Sequence, residues 1–393
     1  MISFEEAYSI ALKSARRMGT EVVPLRDTPG RILAEQVVAD MAMPPFDRAM
    51  VDGFACRRSD LDGELTIIET VAAGYMPTKS VGAGECAKIM TGAPVPEGAD
   101  CCFMVEHGES SSDGKTVRFV KDKTNDNIAV MGKDLQPDDD ILDPGHRILA
   151  PDVAVLASMG YPEVEVYLRP TVGIVATGDE LVEPELTPEP AQIRNSNAYS
   201  LCAQVASMGC IANYEGIARD NDESLNEVIG RALETNDVVL MSGGMSMGEF
   251  DLVPRILKEH GIRILYDRVA VQPGKPTTFG LSDDVFCWGL PGNPVATYTI
   301  FELVVKAFLF RMMGHEYSPP IVKMPLGEDF TRKNSGRTSW VPVMTTPEGT
   351  IARIPYHGSA HINALCHAHG VIPFPYGVTE MPAGTVVELR LTR

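Results

Sequence analysis

The sequence pattern that best indicates the fold class is "DVVLMSGGMSMGEFDLVPRILKEHG", residues 237–261. It opens with a short apolar run, as a buried strand does, and it closes with the spacing of an amphipathic helix. Gly243 and Gly244 follow the apolar run, although a tight turn needs only one glycine. A second glycine lets the backbone come close to a ligand at the end of the strand. We therefore interpret the stretch as a strand, a ligand-facing loop and a helix.

The same alternation of strand and helix patterns extends over residues 171–318. Regular alternation predicts a doubly wound, mostly parallel sheet with helices on both faces, the α/β class. Ligands of such sheets bind beside the carboxyl ends of the strands. Two further loops should lie at that edge, "ATGDEL" at residues 176–181 and "GLPGNP" at residues 289–294. One such loop is usually a simple connection, but three at one edge favour a binding site.

These three loops lack the common nucleotide-binding patterns, since none continues into Gly-Lys-Ser or Gly-Lys-Thr and none reads G-x-G-x-x-G. Pro294 at the start of a helix leaves free amides that can hold an anion. Four acids lie in or beside the loops or follow a neighbouring strand: Glu180, Asp220, Glu249 and Asp251. They could hold a divalent cation or form a solvated acidic rim, and their spacing leaves both interpretations open.

Lys275 lies in a second kind of loop, "AVQPGKPTTFG", between Gly274 and Pro276. The flanking residues prevent a helix, so the ammonium group is held near a backbone turn. We consider two roles for this side chain, a phosphate contact and an ordinary exposed lysine.

The remainder of the chain divides by composition into further domains. Ser3 and Glu6 form a capping box ahead of an amphipathic helix, whose role is packing or dimerisation. Short apolar runs between turn signals predict an inserted β-rich domain and a small C-terminal β domain. The expected domains are a linking and dimerisation domain (1–45 and 141–170), the inserted domain (46–140), the α/β domain (171–318) and the C-terminal domain (319–393).

Composition and charge exclude several functional classes. The 393 residues contain 34 Lys plus Arg and 53 Asp plus Glu, and the net charge of −19 opposes nucleic-acid binding as a main activity. The acidic N-terminus does not resemble a secretory signal, and no apolar run has membrane-spanning length. The eight cysteines contain no C-x-x-C pair, which is typical of a reduced protein, so we expect a cytoplasmic location. The histidine-rich run "HGSAHINALCHAH", residues 357–369, lacks the spacing that a zinc site needs.

Seven blocks in order across almost the whole chain carry a resemblance to a known family: "PPFDRAMVDGFA", "IMTGAPVPEGAD", "VATGDEL", "SGGMSMGEFD", "QPGKPTTFG", "GLPGNPVA" and "HGSAH". The chain resembles the molybdopterin molybdenumtransferases, the MoeA-type enzymes that include the catalytic domain of gephyrin. The resemblance implies a multidomain fold with a molybdopterin-binding α/β domain, an inserted β-rich domain and a C-terminal domain like a β-barrel.

The resemblance also implies an activity. Such enzymes take adenylylated molybdopterin and molybdate, cleave the phosphoanhydride, release AMP and leave molybdenum on the dithiolene, assisted by Mg²⁺ or a similar divalent cation. It further implies a homodimer whose active site lies between the α/β domain of one subunit and the inserted domain of the other. Protein partners from cofactor biosynthesis are compatible with this role.

Position by position, the resemblance implies three groups of site residues. The expected catalytic residues are Asp52, Thr91, Asp134, Asp251 and Lys275. The expected substrate-binding residues are Gly243, Gly244, Ser246, Pro291, Gly292, Asn293, Arg337 and Ser359. The expected cation ligands are Glu180 and Asp220.

The chain departs from the family pattern at a few positions. Arg48 and Ala49 replace a polar pair, and Gln272 stands where many relatives carry a second basic residue. These changes leave open a tungstate-preferring paralogue. A molybdopterin adenylyltransferase and a non-catalytic scaffold of the same fold also stay open.

Overall fold

The computed structural model describes residues 1–243 and 252–392. It contains two compact units. Unit 1 comprises Met1–Glu35, Pro144–Ala150 and Glu163–Arg393, and unit 2 comprises Gln36–Asp143 and Pro151–Pro162. The four expected domains are a finer division of the chain, and their boundaries stay a prediction.

The helices of the described residues are mostly short. They are α1 Phe4–Ser14, α2 Ala150–Ser158, α3 Asn197–Ser207, α4 Asp222–Thr235, α5 Leu252–Glu259, α6 Pro294–Ile300 and α7 Lys306–Met312, with a π-helical turn at Phe301–Val305. Single 3₁₀ turns lie at Leu25–Asp27, Arg58–Asp60, Val105–His107 and Ile362–Cys366. Within the described parts of the chain, no helix has the length and apolar character needed to cross a membrane.

The strands fall into three stretches of chain. The first stretch holds β1 Thr20–Pro24, β2 Val37–Val38, β3 Arg48–Ala49, β4 Gly53–Cys56, β5 Glu64–Val71, β6 Glu85–Ile89, β7 Cys101–Met104, β8 Gly108–Ser110, β9 Thr116–Phe119, β10 Ile128–Ala129, β11 Asp140–Leu142 and β12 Glu163–Tyr167. The second holds β13 Thr171–Thr177, β14 Leu181–Val182, β15 Ile193–Arg194, β16 Ile211–Ala218, β17 Val238–Ser242, β18 Arg263–Tyr266, β19 Val271–Gln272, β20 Thr278–Leu281 and β21 Phe286–Leu290. The third holds β22 Ile321–Pro325, β23 Phe330–Thr331, β24 Thr338–Thr345, β25 Ile351–Arg353, β26 Gly370–Phe374, β27 Glu380–Met381 and β28 Val386–Leu391.

Unit 2 is built on a six-stranded sheet in the order β7-β4-β6-β5-β9-β8. Most neighbouring strands are antiparallel, and only β5 and β6 run parallel. Phe54, Phe103 and Leu65 are buried on one face of this sheet, and Ala55 and Ala87 on the other. The alternation of buried side chains between two faces is what a sheet with a core on each side requires. The predicted β-rich character of this part of the chain is confirmed.

Unit 1 contains the predicted α/β sheet, in the order β16-β13-β17-β21-β20-β18. The first four strands run parallel, β20 runs antiparallel to β21, and the edge strand β18 runs antiparallel to β20 and so in the direction of the first four. Ile174 of β13 packs in the same cluster as Leu201 of α3, whereas the next residue, Val175, packs with Ile229 of α4. Because helices cover both faces, successive residues of a strand are all buried, which explains the continuous apolar runs in the sequence.

A second six-stranded sheet in unit 1 runs β19-β24-β26-β28-β22, with β25 paired to β24. Phe330, Phe374 and Leu389 fill its core. Strand β19 comes from the α/β part of the chain, and it pairs Val271 with Thr338 and Gln272 with Ser339. The C-terminal β region therefore holds the loop that carries Lys275.

Helix α1 begins as the capping box predicts. The amide of Glu6 donates to the hydroxyl of Ser3 at 3.0 Å, and Ala7 and Ala11 are buried in the α/β core. Just before the helix, Ile2 forms a parallel bridge with Val269, so the N-terminal residues fasten the start of the loop that leads to Lys275.

Candidate active site

A cleft of about 990 Å³ opens in unit 1 at the carboxyl ends of three adjacent parallel strands, β13, β17 and β21. Ala176 is level with Ser242, and Ser242 with Leu290, so the three strands end side by side. The described parts of the three predicted loops lie at this edge. The predicted residues that line the cleft are Glu180, Gly243, Lys275, Pro291, Gly292, Asn293, Arg337 and Ser359.

Gly243 is fixed by a close contact between two strand ends. Its φ of 103° lies in the left-handed region, and a Cβ atom there would meet the carbonyl oxygen of Thr177 at 2.2 Å. No side chain fits, so the glycine is required by the packing of β17 against β13. The sequence alone suggests ligand approach as the reason for this glycine, and the strand contact is an additional reason. The hydroxyl of Thr177 is buried beside it, and it has no hydrogen-bond partner among the residues that the structure describes.

Asn197, at the start of α3, joins the two other strand ends. Its Nδ2 group donates to the hydroxyl of Ser242 at 2.7 Å and to the carbonyl oxygen of Gly292 at 2.7 Å. One amide side chain thus holds the ends of β17 and β21 at a fixed separation. Asn197 was not predicted as a site residue from the sequence, although a polar residue at the start of a helix beside a sheet edge is a recognisable signal.

Lys275 lies on a tightly folded loop at the other side of the cleft. Its carbonyl oxygen accepts from the amides of Val269 and Thr277, both at 3.0 Å, and the hydroxyl of Thr277 donates to the carbonyl oxygen of Gly274 at 2.6 Å. These bonds fix the backbone and leave the Lys275 side chain exposed on the cleft wall. The predicted non-helical loop is therefore present.

The C-terminal β region closes this wall of the cleft. Arg337 lines the cleft, and its Nη1 atom donates to the carbonyl oxygen of Val271 at 3.4 Å. Ser359 also lines it, and its carbonyl oxygen accepts from the amide of Val295 at the start of α6 at 3.0 Å. These contacts bring two residues from the C-terminal region beside the carboxyl edge of the sheet.

The described lining of the cleft is locally cationic. Its basic side chains are Arg194, Arg268, Lys275 and Arg337, and its acidic side chains are Glu180 and Asp267. The whole chain has a net charge of −19, so the charge of the cleft lining is opposite in sign to the charge of the chain as a whole. A concave site of this kind attracts an anionic ligand. Arg194 and Arg268 were missed from the sequence because neither lies in a loop with a recognised pattern.

Glu180 and Asp220 lie at one rim of this edge. Partial burial, and then the carboxylates of Asp179 and Glu180, raise the pKa of Asp220 above its ordinary value. Arg219 organises the loop, since its Nη1 atom donates to the carbonyl oxygens of Gly178, Asp179 and Leu181 at 3.0–3.3 Å. Neither Asp179 nor Arg219 was predicted as a site residue.

Two further predicted acids, Asp52 and Asp134, lie in unit 2. Asp52 is exposed, and its Oδ1 atom accepts from the amide of Thr91 at 2.7 Å. This bond, and then a hydrogen bond from the Thr91 hydroxyl, hold the pKa of Asp52 below its ordinary value. The structure thus brings Asp52 and Thr91 together. Asp134 is also exposed, and its amide donates to the carbonyl oxygen of Met43 at 2.8 Å.

Four residues singled out from the sequence, Gly244, Ser246, Glu249 and Asp251, lie outside the described residues. Among the residues that are described, no group of three or more His, Cys, Asp or Glu side chains is placed to hold a metal ion.

Comparisons with known proteins agree along the chain. Residues 2–160 match the model described as MoeA N-terminal region (domain I and II), residues 173–311 the probable molybdopterin binding domain, and residues 323–391 the MoeA C-terminal region (domain IV). A molybdopterin molybdenumtransferase from Staphylococcus epidermidis is 35% identical over 401 residues, covering 100% of this chain and 96% of that protein. The chain belongs to the molybdopterin molybdenumtransferase family. The resemblance in the seven sequence blocks is confirmed.

Further members of the molybdopterin molybdenumtransferase family give the same result. A molybdopterin molybdenumtransferase from Staphylococcus aureus is 35% identical over 402 residues, with 100% of this chain and 96% of that protein covered. The crystal structure of a molybdopterin biosynthesis MoeA protein from Pyrococcus horikoshii OT3 matches with a TM-score of 0.84 at 29% identity, covering 100% of both chains. The predicted multidomain fold is therefore confirmed, and the chain is a transferase of molybdenum cofactor biosynthesis.

Proposed function

We propose that the chain transfers molybdate to adenylylated molybdopterin with release of AMP, giving the molybdenum cofactor. The observation that carries this proposal is the cationic cleft at the carboxyl edge of the α/β sheet. Adenylylated molybdopterin has a pyrophosphate linkage and molybdate is an oxyanion, so both substrates require positive charge and N–H donors. The cleft offers these in a chain that is otherwise strongly acidic.

The role proposed for each residue follows from the position of its hydrogen-bond donors in the cleft. Cleavage of a phosphoanhydride needs its negative charge neutralised and the attacking oxygen held in line, with no covalent side-chain nucleophile. Lys275 and Arg337, on one wall of the cleft, supply cationic N–H donors for the anions, and Ser359 supplies a hydroxyl beside them. Gly243 and Gly292 present bare backbone at the strand ends, where the pterin phosphate region can approach closely.

The acidic rim at Glu180 and Asp220 fits a hydrated divalent cation. The raised pKa of Asp220 reflects partial burial and repulsion from Asp179 and Glu180, and a cation would relieve the repulsion. Mg²⁺ commonly keeps several waters and takes only one or two carboxylates plus substrate phosphates, so a full protein cage is unnecessary. When bound there, it would supply charge neutralisation to the phosphoanhydride.

The proposal includes a homodimer in which Asp52 of unit 2 serves the cleft of a second copy. Asp52 is an exposed carboxylate and is ionised in the neutral range, and the hydrogen bonds from Thr91 lower its pKa further. An exposed, ionised acid with a fixed orientation can accept a hydrogen bond from a water molecule and orient it for reaction, or help to hold a cation that binds molybdate. Asp134 and Thr91 lie in the same unit and belong to the same proposed surface. We also infer a cytoplasmic location, because the cysteines are free thiols, as is typical of a reducing compartment.

The test is molybdate-dependent release of AMP. Purified protein is incubated with adenylylated molybdopterin and Mg²⁺, with and without molybdate, and AMP is quantified by chromatography. The proposal expects AMP only when molybdate is present. AMP release at the same rate with and without molybdate, or no AMP release under either condition, contradicts the proposal.

Two further arms of this experiment separate the competing functions. An adenylyltransferase would consume ATP with unadenylylated molybdopterin, a reaction that the proposed insertase does not perform. Replacing molybdate by tungstate at equal concentration tests the oxyanion preference, and a higher rate with tungstate would identify a tungstate-preferring paralogue.

A further inference from the structure

One side of the cleft is bordered by residues 180–195, which contain β14 and β15 and are here called the rim segment. Glu180 at its start and Asn195 at its end both line the cleft. The carbonyl oxygen of Glu180 accepts from the amide of Ile193 at 2.8 Å, and that of Val182 accepts from the amide of Asn195 at 2.8 Å. The start and the end of the rim segment are therefore fastened to each other.

Glu183 joins the rim segment to two elements of the α/β part of the chain. The hydroxyl of Tyr214, on the edge strand β16, donates to Glu183 Oε1 at 2.6 Å. The hydroxyl of Tyr199, on helix α3, donates to Glu183 Oε2 at 3.0 Å. A hydrogen bond to an ionised carboxylate is stronger than one between neutral groups. Glu183 thus links the rim segment to a strand and to a helix at once.

The Tyr214 hydroxyl is the centre of this network. It donates to Glu183, and it accepts from the Nδ2 group of Asn195 at 2.8 Å. Asn195 is buried, and its Oδ1 atom accepts from the amide of Ala198 in the first turn of α3 at 3.2 Å. Burial, and then the hydrogen bond to Glu183, raise the pKa of Tyr214 above its ordinary value, so the hydroxyl keeps its proton. One hydroxyl therefore holds the residue that follows β14 and the residue that follows β15.

The carboxylate of Glu180 depends on this support. Glu180 is exposed, and within the described residues its carboxylate has no hydrogen bond and no salt bridge. Its place is therefore set by the backbone of the rim segment. The negative charge of Glu180 is one of the causes that raise the pKa of Asp220. Two carboxylates that share a cation must be held close against such repulsion, and a loosened rim segment would let Glu180 move away from Asp220.

We propose that Glu183, Tyr214 and Asn195 are positioning residues that hold Glu180 beside Asp220 for a divalent cation. This inference rests on the proposed function, in which Glu180 and Asp220 hold that cation. Residues that support metal ligands from outside the site influence metal affinity. Loss of the network should therefore weaken cation binding and leave molybdate binding unchanged.

The experiment measures binding of Mn²⁺, as the probe for a divalent cation, to the full chain by electron paramagnetic resonance. Tyr214→Phe removes the hydroxyl and keeps the ring, and it should weaken Mn²⁺ binding about fivefold, less than the loss of a residue bonded directly to a ligand. Tyr199→Phe removes only one of the two bonds to Glu183 and should have a smaller effect. Tyr376→Phe is the matched control, because Tyr376 is exposed in the C-terminal β region, and it should leave the Kd unchanged.

A double-variant cycle tests whether the network acts through Glu180. Glu180→Gln should weaken Mn²⁺ binding about tenfold, and adding Tyr214→Phe to it should cause little further loss. The same variants are assayed for AMP release. Tyr214→Phe should raise the KM for Mg²⁺ and leave kcat at saturating Mg²⁺ and the KM for molybdate close to wild type.

Distinct results overturn the inference and the proposed function. No Mn²⁺ binding by the wild-type protein, an unchanged Kd in folded Tyr214→Phe, or an equal loss from Tyr214→Phe with and without Glu180 overturns the positioning role. Absence of AMP release from the wild-type protein overturns the proposed function, and the Mn²⁺ series then decides the inference by itself. Circular dichroism identifies any variant that fails to fold, and Glu183→Gln, which removes the charge and keeps the side-chain shape, provides a second variant that should weaken Mn²⁺ binding.

Discussion

At the scale of single residues, Asp52 and Thr91 show how hydrogen bonds lower the pKa of a carboxylate that is not buried. Asp52 is exposed, yet the Thr91 amide and hydroxyl hold its pKa below the ordinary value of 3.8. A depressed pKa means that these hydrogen bonds stabilise the fold above pH 3.8 and that this stabilisation is lost as the pH falls through the lowered pKa. The hydrogen bonds therefore extend the pH range in which the acid is charged to values below 3.8.

Replacing Thr91 by valine should separate the two donors. Thr91→Val keeps the amide and removes the hydroxyl, so the pKa of Asp52 should rise and still remain below 3.8. The measurement is a ¹³C NMR titration of the Asp52 carboxyl carbon. Thr78→Val is the matched control, because Thr78 donates to Glu69 instead, and it should leave Asp52 unchanged. A wild-type Asp52 pKa at or above 3.8 would refute this account of the pair.

At the scale of elements, the strand ends of the α/β sheet depend more on Gly243 than on Gly292, which lies beside it in the cleft. A Cβ at Gly243 would meet the Thr177 carbonyl oxygen at 2.2 Å with φ in the left-handed region. Among the described residues, a Cβ at Gly292 would meet only the Cα of Gly243 at 3.6 Å, an ordinary contact. The two glycines line the same cleft and form a natural pair for comparison.

We expect Gly243→Ala to lower the free energy of unfolding of unit 1 by about 2–4 kcal/mol, from backbone strain and the strand clash. Gly292→Ala should stay within about 0.5 kcal/mol of wild type. Urea unfolding followed by tryptophan fluorescence suits this test, because both tryptophans, Trp288 and Trp340, lie in unit 1. Equal destabilisation by the two substitutions would argue against the strand-end contact.

The elements also show what can and cannot be predicted from the sequence. Strands β13, β17 and β21 were predictable because continuous apolar runs between glycine-rich turns are required of buried parallel strands. The contact that fixes Gly243 was not predictable, because Thr177 is distant from Gly243 in sequence and contacts it only through strand pairing. Arg268 was not predicted as a cleft residue for the same reason. Its position beside Lys275 depends on how the loop folds back, and no local sequence pattern encodes that fold.

At the scale of the whole molecule, the proposed site needs two copies of the chain. The cationic cleft belongs to unit 1 and Asp52 belongs to unit 2. In a symmetric homodimer, each cleft would receive Asp52 from the other subunit. A site shared in this way has a property that a site within one chain lacks, because two differently damaged subunits can restore each other.

The most direct test of this claim mixes two inactive variants, Asp52→Ala and Lys275→Ala, and measures molybdate-dependent AMP release. A mixed dimer has one site with both substitutions and one with neither, so random association should recover about a quarter of the wild-type rate. Each variant alone should release almost no AMP, which serves as the control. No recovery in a mixture that mass spectrometry shows to contain mixed dimers would contradict the account, because it would place Asp52 and Lys275 in the same chain's site.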